Sequence, residues 1–139
     1  MADKTYACIA GLTVRDTFDN KYKSSLPGMM KAAGEKAVNA SSLLTTKRPV
    51  DKNAKGFSLG GGLSLKKTAK GAEAKVEILL YYWPKDAMFA NVKGSGSVET
   101  GGSDIDGAVE DLVQQVVEDA VKKKAVPELE KRVRNGDLG

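Results

Sequence analysis

Three successive runs of alternating apolar and polar residues occupy residues 57–100 and constrain the fold more than any other feature. Short turn-like breaks separate the runs, and a period of two places every second side chain on the same face of a strand. The sequence therefore predicts a three-stranded antiparallel meander with one buried face. The predicted inward residues are Phe57, Leu59, Leu63 and Leu65, then Ala74, Val76, Ile78, Leu80 and Tyr82, and finally Met88, Ala90, Val92 and Val98.

The segment before the meander adds a strand and a helix. Residues 6–14 mix β-branched and apolar side chains with little charge, which predicts a central strand that is buried on both faces. A helix is predicted to follow, capped by Ser24 or Ser25, because Pro27 then falls in the first turn, where its missing amide hydrogen is tolerated. This helix is expected to end near Ala40.

Further elements are predicted on both sides of the meander. Residues 43–44 are expected to form a short edge strand. After the meander, apolar residues recur at intervals of three and four from Ile105 to Val121, which predicts an amphipathic helix lying on the sheet. Pro127 is expected to kink this helix or to open a short additional one, and residues 135–139 are expected to fray.

These elements together predict one α/β domain over residues 1–139, folded as a two-layer sandwich. A sheet of four or five strands contains the meander, and both main helices pack on one face of it. The other face would stay uncovered, which an antiparallel sheet tolerates when that face is polar. The exception is the end that carries Leu79, Tyr81 and Trp83, which alternation places together on the open face.

Composition argues against the commonest catalytic and metal sites. The chain has no histidine, which is the usual general base near neutral pH and a frequent metal ligand. Cys8 is the only cysteine, so an intrachain disulfide and a multi-cysteine zinc site are excluded, and we interpret this residue as a small buried hydrophobe. We therefore expect a protein that is not an enzyme and that uses no cofactor and no metal.

Charge is distributed unevenly along the chain. Residues 1–71 contain 13 Lys/Arg and 5 Asp/Glu, whereas residues 72–139 contain 9 and 13. If the two halves occupy different faces, the basic one can meet a polyanion or the acidic face of another copy. No secretory signal is visible at the N-terminus and no stretch is apolar enough to span a bilayer, which predicts a cytoplasmic location without a membrane span.

Two candidate binding surfaces stand out. The first is the cluster of Leu79, Tyr81 and Trp83, for which a second packing layer, a protein interface and base stacking with nucleic acid remain alternatives. The second is the loop of residues 45–56, which is predicted to be exposed and mobile. This loop is either merely solvated or a contact for phosphate or an acidic partner. Its basic side chains are Lys47, Arg48, Lys52 and Lys55.

A family resemblance is carried by residues 56–100 and the helix that follows. The segment has Tyr82-Trp83-Pro84 at its second turn and Gly94-Ser95-Gly96 in its third strand, and a valine-rich helix comes after it. In this pattern the chain resembles the small α/β domains of bacterial curli-secretion and penicillin-binding-protein-activator lipoproteins. The resemblance implies a bacterial, non-catalytic domain that acts through assembly or protein contacts, and it transfers no site residue.

The leading functional hypothesis from the sequence is a non-enzymatic structural or assembly protein that acts through homo-oligomeric contacts. Polarised charge favours a head-to-tail arrangement, which produces rings or filaments. The alternative is a nucleic-acid-binding module that uses the basic loop, whose affinity would fall steeply with salt.

Overall fold

The computed structural model describes residues 4–50, 53–100 and 105–138. One mixed sheet has the strand order β2-β1-β3-β4-β5: β1 runs parallel to β2 and β3, and β3, β4 and β5 form the antiparallel meander. The strands are β1 (Thr5–Asp16), β2 (Leu44–Thr45), β3 (Gly56–Lys67), β4 (Gly71–Trp83) and β5 (Ala87–Glu99), and the helices are α1 (Lys21–Asn39), α2 (Ile105–Ala120) and α3 (Val126–Arg134). The predicted two-layer α/β sandwich is confirmed, as is the short strand at the edge.

The core lies between the sheet and the helices. Helix α1 packs on β1, and α2 packs beside α1 on β4 and β5. The inward rows predicted for β3 and β4 are buried, except that Tyr82 is half-buried against the core. Since these rows follow strict alternation, their burial is the direct result of the period-two pattern.

Strand β1 is buried on one face only, so the prediction of two buried faces is wrong. Its inward residues include Ile9 and Leu12, which are three positions apart and could not share a face in a regular strand. A register shift between them absorbs the extra residue, with Gly11 at φ 65°. Glycine accepts this left-handed conformation without strain. Outward side chains such as Thr13 and Arg15 are exposed because β1 has no second layer on that side.

Strand β5 corrects a second prediction. Met88 was expected to point inward, yet its side chain is 60% exposed, while the neighbouring Phe89 packs against the core. The cause is a bulge: Leu80 pairs with Ala90, but Tyr81 pairs with Met88, so Phe89 is the additional residue. One extra residue reverses the in-and-out parity of a strand.

Helix α1 begins earlier than predicted, and neither Ser24 nor Ser25 caps it. Its first residue is Lys21, whose amide donates to the Asp19 carboxylate at 3.1 Å. The extra turn forms because Tyr22 is buried in the core. Pro27 therefore lies inside the helix rather than in its first turn.

The C-terminal helical segment runs without a break in sequence from Ile105 to Arg134 but is irregular. A π-helical segment, Val121–Ala125, joins α2 to α3, and Pro127 lies in the first turn of α3, which confirms the predicted additional helix. Residues 135–139 were predicted to fray, but residues 135–138 are held in place; residue 139 lies outside the described residues. Asp137 binds Arg132 at 2.7 Å and Leu138 packs against the core, so tertiary contacts hold this segment.

The two halves of the sequence, which differ in charge, occupy different sides of the folded molecule. The basic half of the chain supplies β1, α1, β2 and β3, and the acidic half supplies β4, β5, α2 and α3. In the sheet, β3 and β4 are neighbours, so the boundary between the two halves runs along the middle of the molecule. The contrast is clearest in the helical layer, where α1 has four lysines and one glutamate and α2 has five acidic residues and no basic one.

Candidate functional site

The outer face of the sheet is the candidate functional site. Both long helices lie on the inner face, and no helix of the described residues covers the outer one. This open face has an apolar end and a polar end. Its outward side chains along β4 are Trp83, Tyr81, Leu79, Glu77, Lys75 and Glu73, in that order. We call the apolar end, made of Tyr6, Leu79, Tyr81, Trp83 and Met88, the aromatic end.

At the aromatic end, Tyr6 and Trp83 touch across an intervening strand. Both pair with Gly56 of β3, and their rings meet edge to face with centroids 4.7 Å apart. Gly56 allows this contact, because a Cβ atom there would lie only 2.2 Å from the carbonyl oxygen of Tyr6. Burial and a hydrogen bond to the Cys8 thiol raise the pKa of the Tyr6 phenol, which therefore remains neutral at physiological pH.

The basic loop reaches the same end of the sheet. The Arg48 guanidinium carbon lies 5.7 Å from the centroid of the Trp83 ring, and Lys55 lines a shallow cavity beside Trp83 and Pro84. The structure thus joins two sites that the sequence treated as separate. Lys47 is exposed, and Lys52 lies outside the described residues.

The remaining apolar side chains extend the aromatic end towards β5. Tyr81 pairs with Met88, and Leu79 follows on the same face. Leu79, Tyr81 and Trp83 are each half-buried and alternate along β4 with the core-facing Leu80 and Tyr82, so they share the open face as predicted. Cys8 also lies there and is half-buried, rather than buried as the sequence suggested.

A cluster on the inner face braces this end of the sheet. Arg132 of α3 donates to the Tyr82 hydroxyl at 2.9 Å and to Asp137, and its guanidinium lies 4.2 Å from the centroid of the Phe89 ring. The centroids of the Tyr82 and Phe89 rings are 4.4 Å apart. Tyr82, which directly precedes Trp83, is therefore held in place on the inner face. These contacts fix the end of β4 that carries the aromatic end.

The polar end of the open face is built around Glu77. Its carboxylate accepts hydrogen bonds from Asn91 at 2.8 Å and from Arg15 at 3.2 Å. These two donors and the nearby Lys93 hold the pKa of Glu77 below its usual range. Glu77 is therefore a charged, engaged residue rather than a proton donor for catalysis.

Sequence reasoning missed Tyr6, Met88 and Arg15 as members of this face. Tyr6 and Arg15 could have been found from the alternation of β1, had its register shift been anticipated. Met88 could not, because the bulge that exposes it has no turn residue to signal it. Among the residues that the structure describes, no group of three or more His, Cys, Asp or Glu side chains is arranged to hold a metal ion, and no helix is long and apolar enough to cross a membrane.

Comparisons with known proteins reveal similarity of fold but no similarity of sequence to a known family. No family model matches the sequence, and no curated protein matches it. Among solved structures, a dodecamer of PelC from Paraburkholderia phytofirmans is 12% identical with a TM-score of 0.54, covering 85% of this chain and 89% of that one. A DUF330 protein from Xanthomonas campestris is 9% identical with a TM-score of 0.57, covering 96% and 89%. A candidate lipoprotein from Caulobacter crescentus is 11% identical with a TM-score of 0.55, covering 92% and 90%.

At these identities the similarity concerns the fold alone. The resemblance to domains of bacterial lipoproteins is therefore supported at the level of the fold, and no residue of the open face is assigned by it.

Proposed function

We propose that this protein is a non-enzymatic structural or assembly protein that self-associates through the aromatic end of its open sheet face. The observation that carries the proposal is a row of half-buried apolar side chains, with the exposed Met88 beside it, on a sheet face that no helix of the described residues covers. Exposed apolar patches of this kind are typical of protein interfaces.

The side chains at the aromatic end suit an interface. Trp and Tyr are enriched among residues that dominate binding energy, and Met adapts to irregular partner surfaces. Trp83 is already ordered by Tyr6 and Arg48, so little side-chain entropy is lost when a partner covers it. Met88, at 60% exposure, has the most apolar area left to bury.

The lateral charge asymmetry supports a head-to-tail contact. In the helical layer, the basic α1 lies over β1 and the acidic α2 lies over β4 and β5, towards opposite edges of the sheet. Complementary but different surfaces form heterologous contacts, which close into rings or extend into filaments. PelC, which has this fold, is described as a dodecamer, and an assembly of many copies is compatible with heterologous contacts between protomers.

The test is self-association measured by light scattering and sedimentation velocity over a range of protein concentrations. We expect wild-type protein to form oligomers. In the double variant Tyr81→Ser/Met88→Gln, the dissociation constant of self-association should rise about tenfold or more. The reason is that loss of interfacial anchors weakens binding by roughly 2 kcal/mol.

The matched control is Phe18→Ser, which removes an exposed apolar side chain just beyond β1, at the end of that strand opposite Tyr6. It should leave association unchanged. Circular dichroism and the thermal midpoint should stay close to wild type for both variants, because the replaced side chains lie outside the core. A wild-type protein that remains monomeric at high concentration at both low and high salt would refute the proposal.

Nucleic-acid binding through the basic loop remains the alternative from the sequence. In the structure, Arg48 covers Trp83 rather than leaving its ring free for a base, which favours a protein contact. The cytoplasmic location and the absence of enzymatic activity remain predictions from the sequence.

A further inference from the structure

We propose that the polar end of the open face binds a compact, multivalent anion of the phosphate class. A surface cavity of about 460 Å³ lies there across the strands, from β1 to the outer edge of β5. Four cationic side chains and one carboxylate line it. We call this cavity the basic trough; its charged residues are Arg15, Lys75, Lys93, Lys124 and Glu77.

The floor of the trough is made of small residues. Gly62, Ser64 and Ser95 lie between the long side chains. Arg15 lies flat across Gly62, where a Cβ atom would be 2.2 Å from the Arg15 Nε. The missing side chain thus lets a residue of β1 extend its guanidinium over β3 as far as Glu77 on β4.

The cationic groups arrive from four separate elements. Arg15 comes from β1, Lys75 from β4 and Lys93 from β5, and Lys124 comes from the π-helical segment of the helical layer. Lys124 crosses the edge of β5, where its Nζ donates to the main-chain carbonyl of Lys93. Because like charges repel, gathering them in one cavity favours a bound anion that offsets the repulsion.

The single carboxylate in the lining does not neutralise the trough. Glu77 is engaged by Asn91 and Arg15, and within the described ranges Lys93 has no carboxylate within 4 Å. Lys75 contacts Glu73 at 3.4 Å, but that lysine is exposed and such surface pairs contribute little. Several ammonium donors therefore remain available to a ligand.

The shape and chemistry of the trough indicate the ligand class. No aromatic side chain lines it, so it offers no platform for a base, whereas its lysines, its arginine and the Ser64 and Ser95 hydroxyls all donate to oxyanions. A volume of this size fits a small ligand with several charges rather than a polymer. This site is separate from the aromatic end and does not depend on self-association.

The experiment is isothermal titration of the full chain with inorganic tripolyphosphate at about 0.1 M salt, where charges more than about 10 Å apart are largely screened, with orthophosphate as the low-valency comparison. We expect saturable binding of tripolyphosphate that is much tighter than that of orthophosphate. Lys93→Gln and Lys124→Gln should each weaken it about tenfold, by loss of a charge-assisted contact. Glu77→Gln should tighten it severalfold, because Glu77 supplies the one carboxylate among the described lining residues and its replacement frees Arg15.

Matched controls carry the same charge changes on exposed positions of the helical layer: Lys31→Gln and Glu110→Gln. Both should leave the affinity within about twofold of wild type, because charges beyond about 10 Å are screened at moderate salt. Equal effects of trough and control variants would reduce the binding to general attraction by a basic protein and overturn the site. No saturable binding at millimolar tripolyphosphate would also overturn it.

A third arm uses a single-stranded oligonucleotide. One pattern of results would refute the trough and assign anion recognition to the basic loop. In that pattern the wild-type protein binds the oligonucleotide but not tripolyphosphate, and oligonucleotide binding is lost in Arg48→Gln but unchanged in Lys93→Gln. Circular dichroism of each variant verifies folding. Since oligomer state is measured separately, loss of this site and loss of self-association give distinct results.

Discussion

At the scale of single residues, Asp106 links the two helices at their beginnings. Its carboxylate accepts hydrogen bonds from Lys21 and from the buried Tyr22, whose hydroxyl is 2.6 Å away. These bonds hold the pKa of Asp106 below its ordinary value of 3.8, while burial raises the pKa of Tyr22. Tyr22 therefore stays neutral and donates, and Asp106 stays charged and accepts.

This pair predicts an acid-dependent contribution to stability. The folded-state pKa of Asp106 lies below the unfolded value, so its contribution is present above the unfolded value and is lost as pH falls through the folded pKa. We expect Asp106→Asn to lower the urea midpoint at pH 6 and to differ less from wild type near pH 2. Urea unfolding at both pH values measures this. An equal deficit at both would show that charge is not the cause.

At the scale of elements, register irregularities decide which side chains reach the open face. The period-two pattern predicted the inward rows of β3 and β4 because both strands are regular over that stretch. It failed in β5 at Met88, where one extra residue reverses the parity, and a register shift after Ile9 likewise changes which side chains of β1 face outwards. A bulge follows from how a strand packs against its neighbours, so the local pattern does not report it.

The bulge in β5 gives a direct prediction. Phe89→Ala should destabilise the fold by about 2–4 kcal/mol, because it removes a ring that packs on Phe57 and Tyr82. Met88→Ala should change the free energy of unfolding by only about 0.5 kcal/mol, as is usual for an exposed site. Denaturant unfolding of both variants compares the two positions. The opposite ranking is what strict alternation requires, and it would contradict the bulge.

At the scale of the whole molecule, the strand order places the basic α1 and the acidic α2 over opposite halves of the sheet. Had β4 and β5 been interleaved with β1 and β3, the same sequence would have shown mixed charge on both sides. The observed order keeps the basic and acidic halves apart, and the open face adds apolar area at the end near Trp83. Steering by complementary flanks and burial of apolar surface can therefore act in the same contact.

This arrangement predicts a salt-sensitive assembly. Raising the ionic strength from about 0.1 M to 1 M shortens the screening length from ~10 Å to ~3 Å, so attraction between flanks should weaken. We expect the dissociation constant of self-association to rise severalfold over this range, as measured by sedimentation velocity. A dissociation constant that is constant or falls with salt would restrict the contact to the apolar residues.

The amino-acid sequence alone determined the two-layer fold, the inward rows of β3 and β4 and the amphipathic face of α2. Each follows from a periodicity that operates over a few residues, because backbone geometry repeats every 2 or about 3.6 residues. The sequence also placed Leu79, Tyr81 and Trp83 together, since they alternate along one regular strand.

Only the tertiary structure decided what surrounds those residues. Tyr6, Arg48 and Trp83 are distant in sequence and meet because β1, β3 and β4 are neighbours and Gly56 lets the main chain of Tyr6 approach β3 closely. Arg15 and Lys124 likewise converge on one cavity from opposite ends of the chain. Contacts of this kind depend on strand order and packing, which no local period encodes, and so the composition of both candidate sites appeared only once the chain was folded.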